Sequence, residues 1–163
     1  MARIEYEATD GQGLDLIDAL WCKLKEHHKI LSLHFAEYLA RITFDQRKKE
    51  LLDKSREGAL RIDLVRDVDT AEIVGYCVST ISGNKQGEIE SIYVESDYRQ
   101  FGIGDNLMKR ALRWMDEQSV TRKTIAVSAG NEEVFTFYSQ HSFYPRVTIL
   151  EQTETGKSGD TDK

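Results

Sequence analysis

Arg99, Gly102 and Gly104 stand in the order R-x-x-G-x-G, directly before an amphipathic stretch running from Asp105 to Met115. Glycine allows a positive φ and lets another group approach the backbone without meeting a Cβ. A helix start adds N–H groups that lack intrahelical acceptors, together with a partial positive charge. Such a loop suits a phosphate. A tight strand-to-helix turn needs the same residue type, so G-x-G alone leaves both readings open. The dinucleotide fingerprint G-x-G-x-x-G fails, because position 107 is Leu. The "GKS" at Gly156 to Ser158 fails as a P-loop, since the glycine required at 151 is Glu.

These residues need elements to hold them. "ARIEYEA" alternates as a short strand, and Leu16, Ile17, Leu20, Leu24 and Leu31 recur at helical spacing from about Gly13 to His34. A second helix is expected from Phe44 to Lys54. "LRIDLV", "EIVGYCVSTI" and "EIESIYV" then read as three strands joined by turn formers, an antiparallel meander. The glycine loop and its helix follow, with Met108, Ala111, Leu112 and Met115 on one face. "KTIAVS" reads as a strand, and Asn131 is placed to cap a helix through about Gln140. "FYPRVTILE" is expected to close the sheet as an edge or bulged strand, given Pro145. The order β-α-α-β-β-β-α-β-α-β describes an α/β (α+β) fold, a mixed sheet flanked by helices.

One domain over residues 1–152 and a polar, disordered tail over 153–163 fit a chain of 163 residues. A net charge of −6 argues against nucleic acid as a partner. The charged N-terminus does not read as a secretory leader. No apolar run reaches the ~20 residues of a membrane helix. Cys22 and Cys77 lack paired or metal-ligand spacing, so reduced thiols, no metal and a cytoplasmic setting are expected.

R-x-x-G-x-G five residues after "IYV" resembles the acetyl-coenzyme-A motif of the GNAT superfamily of N-acetyltransferases. The likeness extends through "GEIESIYVESDYRQFGIGDNLMKRAL" and "TIAVSAGNEEVFTFYSQHSF", and covers roughly Ala59 to Arg146. The element order is also that family's, mostly antiparallel in its sheet. Two departures stand out. Ser142 replaces the family's usual glycine, and the chain runs into its tail after about Gln152 where the family has a hairpin of two strands. A pocket wall supplied by a second copy, in a homodimer, would be one remedy.

The resemblance implies acetyl-CoA as donor and an amine-bearing acceptor. It assigns the pyrophosphate to the backbone of Gln100, Phe101, Gly102, Ile103, Gly104 and Asp105, and counts Arg99 of the motif among the coenzyme-binding residues. Pantetheine amides would pair with Ile92, Tyr93 and Val94 as an added strand. In the family this strand splays from the next one, here Thr124 to Ser128. Asn131 serves as helix cap and coenzyme contact. Lys109, Arg110 and Arg113 fit either outer phosphates or, preferably, a solvated helix face. The attacking amine must be neutral, which at pH 7 costs an alkylammonium about 4–5 kcal/mol and favours a base. Glu90, counted onto the face of Ile92 and Val94, is the candidate base; a salt-bridged carboxylate is the equal alternative. Tyr138, grouped with Val134 and Phe135, matches the tyrosine that protonates the departing thiolate, and core packing explains it otherwise. His27 and His28 lie on the helix that lines the family's acceptor side. The reading from another class is a non-catalytic acyl-CoA-sensing domain.

Overall fold

A computed structural model describes residues 2–154. Strand β1 (Ile4–Thr9) is followed by a 3-10 segment (Gly11–Ile17) and by helices α1 (Asp18–Leu31), α2 (Ala36–Arg41) and α3 (Phe44–Lys54). Strands β2 (Ala59–Asp67), β3 (Ile73–Ile81) and β4 (Gln86–Val94) form the meander. A 3-10 turn (Ser96–Phe101) leads into α4 (Ile103–Glu117), then β5 (Arg122–Ile125), a second 3-10 turn (Glu132–Val134) and α5 (Phe135–Ser139). The sheet order is β1-β2-β3-β4-β5. Every pairing is antiparallel except β4 with β5, which is parallel.

Local chemistry sets the boundaries. The Asp10 side chain accepts from the Gln12 N–H at 2.9 Å and opens the first 3-10 segment. Thr43 and Gln46 form a reciprocal capping box at the start of α3. Between β2 and β3, the Asp67 carboxylate accepts the Asp69 N–H at 2.8 Å and Ala71 turns at φ 62°.

Strand alternation divides the core in two. Val65, Val74, Cys77, Ile89 and Val94 face Ile103, Leu107, Met108, Ala111 and Met115 of α4. Ile62, Leu64, Tyr76 and Val78 face Leu14, Ile17, Leu20, Trp21, Phe44 and Leu51 on the other side. Each large apolar side chain so buried contributes about 1.5–3 kcal/mol. A fully buried carboxylate, Asp63, ties the sheet to α4: it accepts from Arg61 at 2.9 and 3.0 Å and from Arg110 Nε at 2.9 Å.

Two expectations change. A short helix, α2, intervenes where only two helices were expected before β2. The final strand does not form: residues 143–150 hold no regular element, and Tyr144, Val147, Ile149 and Leu150 are exposed. β-propensity needs a ladder partner to become a strand, and Pro145 withholds an N–H. Most of the expected tail lies outside the described residues, although Glu154 at its start accepts from Arg41 at 2.9 Å.

Candidate active site

β4 pairs with β3 from Ile81↔Gly87 to Gly75↔Val94, interrupted at Glu90. On its other edge it meets β5 only from Gln86↔Arg122 to Ile89↔Ile125. Beyond that point the strands part, and residues 90–94 present an edge with no ladder partner. Residues 126–128 have left the sheet and form the opposite wall. A cavity of about 520 Å³ opens there and continues toward α1, α2 and α3.

The register slips where the strands begin to part. Val78 faces Ser91 and Ser79 faces Ile89, so Glu90 is the extra residue of a β-bulge. This corrects the parity count. Ile92 and Val94 pack toward α4, whereas the Glu90 carboxylate turns to α3. There Oε2 accepts from Arg47 at 3.0 Å, while Oε1 accepts from Thr80 Oγ1 at 2.6 Å and pairs with Lys54 at 2.5 Å. Arg47 also donates to the Glu90 carbonyl at 3.2 Å. The Glu90 side chain is 2 % exposed, so what the residue shows the cavity is mainly backbone. Lys54 pairs with Glu88 as well.

The glycine loop serves two separate purposes. Gly102 adopts φ 67° at the start of α4, and a Cβ there would meet nothing within 4 Å. Its role is conformational. Gly104 lies in the first turn and lines the cavity, and a Cβ there would sit 3.4 Å from the Phe137 ring. Its role is clearance beside the N-terminal N–H groups of α4. Arg99 donates to the Val94 carbonyl at 2.9 Å and lies 5.5 Å over the Tyr93 ring, at the cavity's edge. Gln100 and Phe101 stay exposed, and Ile103 is a core side chain. Asp105 pairs with Lys109 at 2.6 Å, which with His141 holds its carboxyl below the usual carboxylate range. Neither Asp105 nor the other three line the cavity, so contact at these positions is left to the backbone.

Tyr138 lines the cavity beside Phe137, with ring centroids 5.3 Å apart, rather than beside Phe135. Burial pushes its hydroxyl up to about 12, so it remains a proton donor at neutral pH. Asn131 is buried and lines the same cavity, yet its side chain caps nothing: Oδ1 has no hydrogen-bond partner among the described residues. His27 and His28 both reach the cavity from α1. Burial and the neighbouring His27 lower the His28 pKa from its ordinary value. Cys77 is fully buried, and its thiol is pushed up to about 12.

Sequence reasoning missed three participants. Arg47 and Lys54 sit on one face of α3, and only the bulge makes them partners of Glu90. His141 comes within 3.1 Å of Asp105 and rests against Phe137. Arg110 is committed to Asp63 and to the face of Tyr6, not to an outer phosphate.

The residues present fit an extended acyl-CoA. An unpaired strand edge suits amides, a glycine-cleared helix start suits a pyrophosphate, and the orphaned Asn131 oxygen awaits a donor. Among the described residues no helix is long and apolar enough to cross a membrane.

The family model described as "Acetyltransferase (GNAT) family" matches residues 24–143. No curated protein matches the sequence. Among solved structures, the chain resembles a GCN5-related N-acetyltransferase from Ralstonia eutropha JMP134 (TM-score 0.72, 17% identity, 92% of this chain and 98% of that one). It also resembles a ribosomal-protein-alanine N-acetyltransferase from Brucella melitensis biovar Abortus 2308 (0.61, 17%, 92% and 99%). An aminoglycoside N-acetyltransferase in complex with CoA is a third likeness (0.65, 14%, 94% and 97%). At these identities the likeness is one of fold.

Proposed function

Because this chain belongs to the GNAT acetyltransferase family, we propose that it transfers the acetyl group of acetyl-CoA to a primary amine, by direct attack while both are bound. The observation that carries this reading is the parting of β4 and β5 after Ile89↔Ile125, with Gly104, Asn131 and Tyr138 lining the gap. Acetyl-CoA supplies a thioester: the amine nitrogen bonds to its carbonyl carbon, the carbon–sulfur bond breaks, and the sulfur departs with the electron pair.

The chain's own groups manage position and protons. The edge of residues 90–94 aligns the donor, and the first turn of α4 offsets phosphate charge. Asn131 Oδ1 accepts from a coenzyme N–H. Tyr138 donates to the leaving sulfur; with a phenol this reluctant to ionise, its help is modest. The incoming amine must lose a proton. Glu90 would have to give up one of three donors to take it, whereas His28, kept neutral by burial, has its imidazole available in the same cavity. We assign the base to His28 and give Glu90 the task of anchoring Arg47 and Lys54.

Direct transfer is supported by the cysteines. Cys77 is buried and protonated, and Cys22 hydrogen-bonds Asp18 at 3.4 Å outside the cavity lining. Neither is placed to carry an acetyl group. The test is acetyl-CoA binding by calorimetry with amine-dependent thiol release. Tight binding without release for any amine would favour the sensing domain.

A further inference from the structure

We propose that the acceptor is an amine that also carries a carboxylate, held by Lys25 and Arg47 beside an apolar side chain. This inference rests on the acetyltransferase reading and names the substrate class of its site. The cavity continues past the parted strands to a half bounded by Trp21, Leu24, Lys25, Leu39, Ile42 and Arg47. Among the described residues that line that half, the carboxylate is Glu90, and its oxygens already serve Arg47, Lys54 and Thr80, while Glu50 beside Arg47 lies outside the lining. Among the described lining residues of this half no uncompensated anion faces the cavity to receive an ammonium group.

The cations are differently placed. Lys25 Nζ donates to the Ile42 carbonyl at 3.0 Å and to the Ala40 carbonyl at 3.5 Å, and lies 5.8 Å over the Trp21 ring. It has no carboxylate partner among the described residues. Carbonyl dipoles and a ring face position the ammonium without neutralising it. Arg47 spends one terminal nitrogen on Glu90 and reaches Glu50 at 3.5 Å, leaving Nε without a hydrogen bond among the described residues. Over the whole lining, Lys25, Arg47 and Arg99 outnumber Glu90 and Glu133. This local excess of positive charge opposes the chain's net −6, so bulk composition does not explain it. A carboxylate completes the site. A polyamine would set its extra ammonium groups against Lys25 and Arg47. The surrounding Trp21, Leu24, Leu39 and Ile42 favour an apolar substituent.

The experiment compares L-phenylalanine, L-phenylalaninamide, phenethylamine and spermidine as acceptors, read by thiol release from acetyl-CoA. In parallel, calorimetry measures N-acetyl-L-phenylalanine against its carboxamide on the CoA-saturated protein. The acid should exceed its amide in kcat/KM by about 30-fold or more, and its product should bind correspondingly tighter. Lys25→Glu should invert the preference, chiefly through KM, while Lys25→Gln narrows it about tenfold. Both variants are accepted only with unchanged acetyl-CoA affinity and melting temperature. Turnover that favours the amide or spermidine, or a Lys25→Glu variant with the original preference, overturns the acceptor class and leaves the acetyltransferase reading standing. Bound acetyl-CoA with no release for any of the four, and no binding of either product, overturns the acceptor class, whereas the acetyltransferase reading itself falls only when no amine of a broad panel is acetylated.

Discussion

Arg47 grips Glu90 twice, at its carboxylate (3.0 Å) and at its backbone carbonyl (3.2 Å), where Glu90 is the extra residue of the β4 bulge. One guanidinium thus fixes both the charge and the chain path at the point where β4 and β5 begin to part. Arg47→Met should cost about 1–2 kcal/mol in urea unfolding. That is less than a fully buried pair would lose, because Arg47 is 24 % exposed and Lys54 still serves the carboxylate. An unchanged midpoint would show that the bulge holds without it.

The two glycines should separate by experiment. Gly102→Ala meets open space but a positive φ, so it should lower stability by about 1 kcal/mol and leave acetyl-CoA affinity within about twofold. Gly104→Val should do the reverse, weakening acetyl-CoA at least about tenfold while melting near the wild type, since its side chain enters the cavity. Calorimetry and thermal unfolding of both variants give the answer. Equal effects on the two readouts would contradict the division of roles.

Tyr138→Phe keeps the ring that packs on Phe137 and removes only the hydroxyl. Turnover should fall about 10- to 10²-fold, with acetyl-CoA affinity and melting temperature nearly unchanged. Full turnover in this variant would return Tyr138 to a packing role.

His28 gives a pH signature. Its pKa lies below the ordinary 6.5, so the unfolded chain binds the proton more readily than the native one. The stability it contributes is therefore complete above 6.5 and is lost as pH falls through the lower native value. The saturated rate should follow the same limb, because only the neutral imidazole accepts a proton. His28→Gln should remove that limb and slow transfer about 10²-fold. A limb that persists in the variant would assign the proton elsewhere, with Glu90 next in line.

Arg110→Met should leave acetyl-CoA affinity within about twofold and destabilise the protein by about 2 kcal/mol, since it strips one partner from the buried Asp63. A large loss of affinity would restore the phosphate-contact reading of this helix face.

The chain's punctuation made most of the fold legible. Turn formers at 67–70 and 82–86 and the G-x-G at 102–104 fix the meander and the start of α4, because they act locally. What escaped was set by partners distant in sequence. The bulge at Glu90 depends on β3, so counting along β4 alone placed its carboxylate on the wrong face. "FYPRVTILE" has the composition of a strand, but composition does not supply a ladder. Asn131 was legible as a residue of interest, whereas its unpartnered Oδ1 appears only once the cavity has walls.

Amine-dependent release of free thiol from acetyl-CoA, with mass spectrometry of the product, tests the central claim most directly. The expected result is release that requires both protein and amine, yields the amine bearing one acetyl group, and falls in Gly104→Val in step with acetyl-CoA affinity. Acetyl-CoA bound in the cleft with no amine acetylated, or release undiminished in a Gly104→Val protein that no longer binds it, would contradict the account.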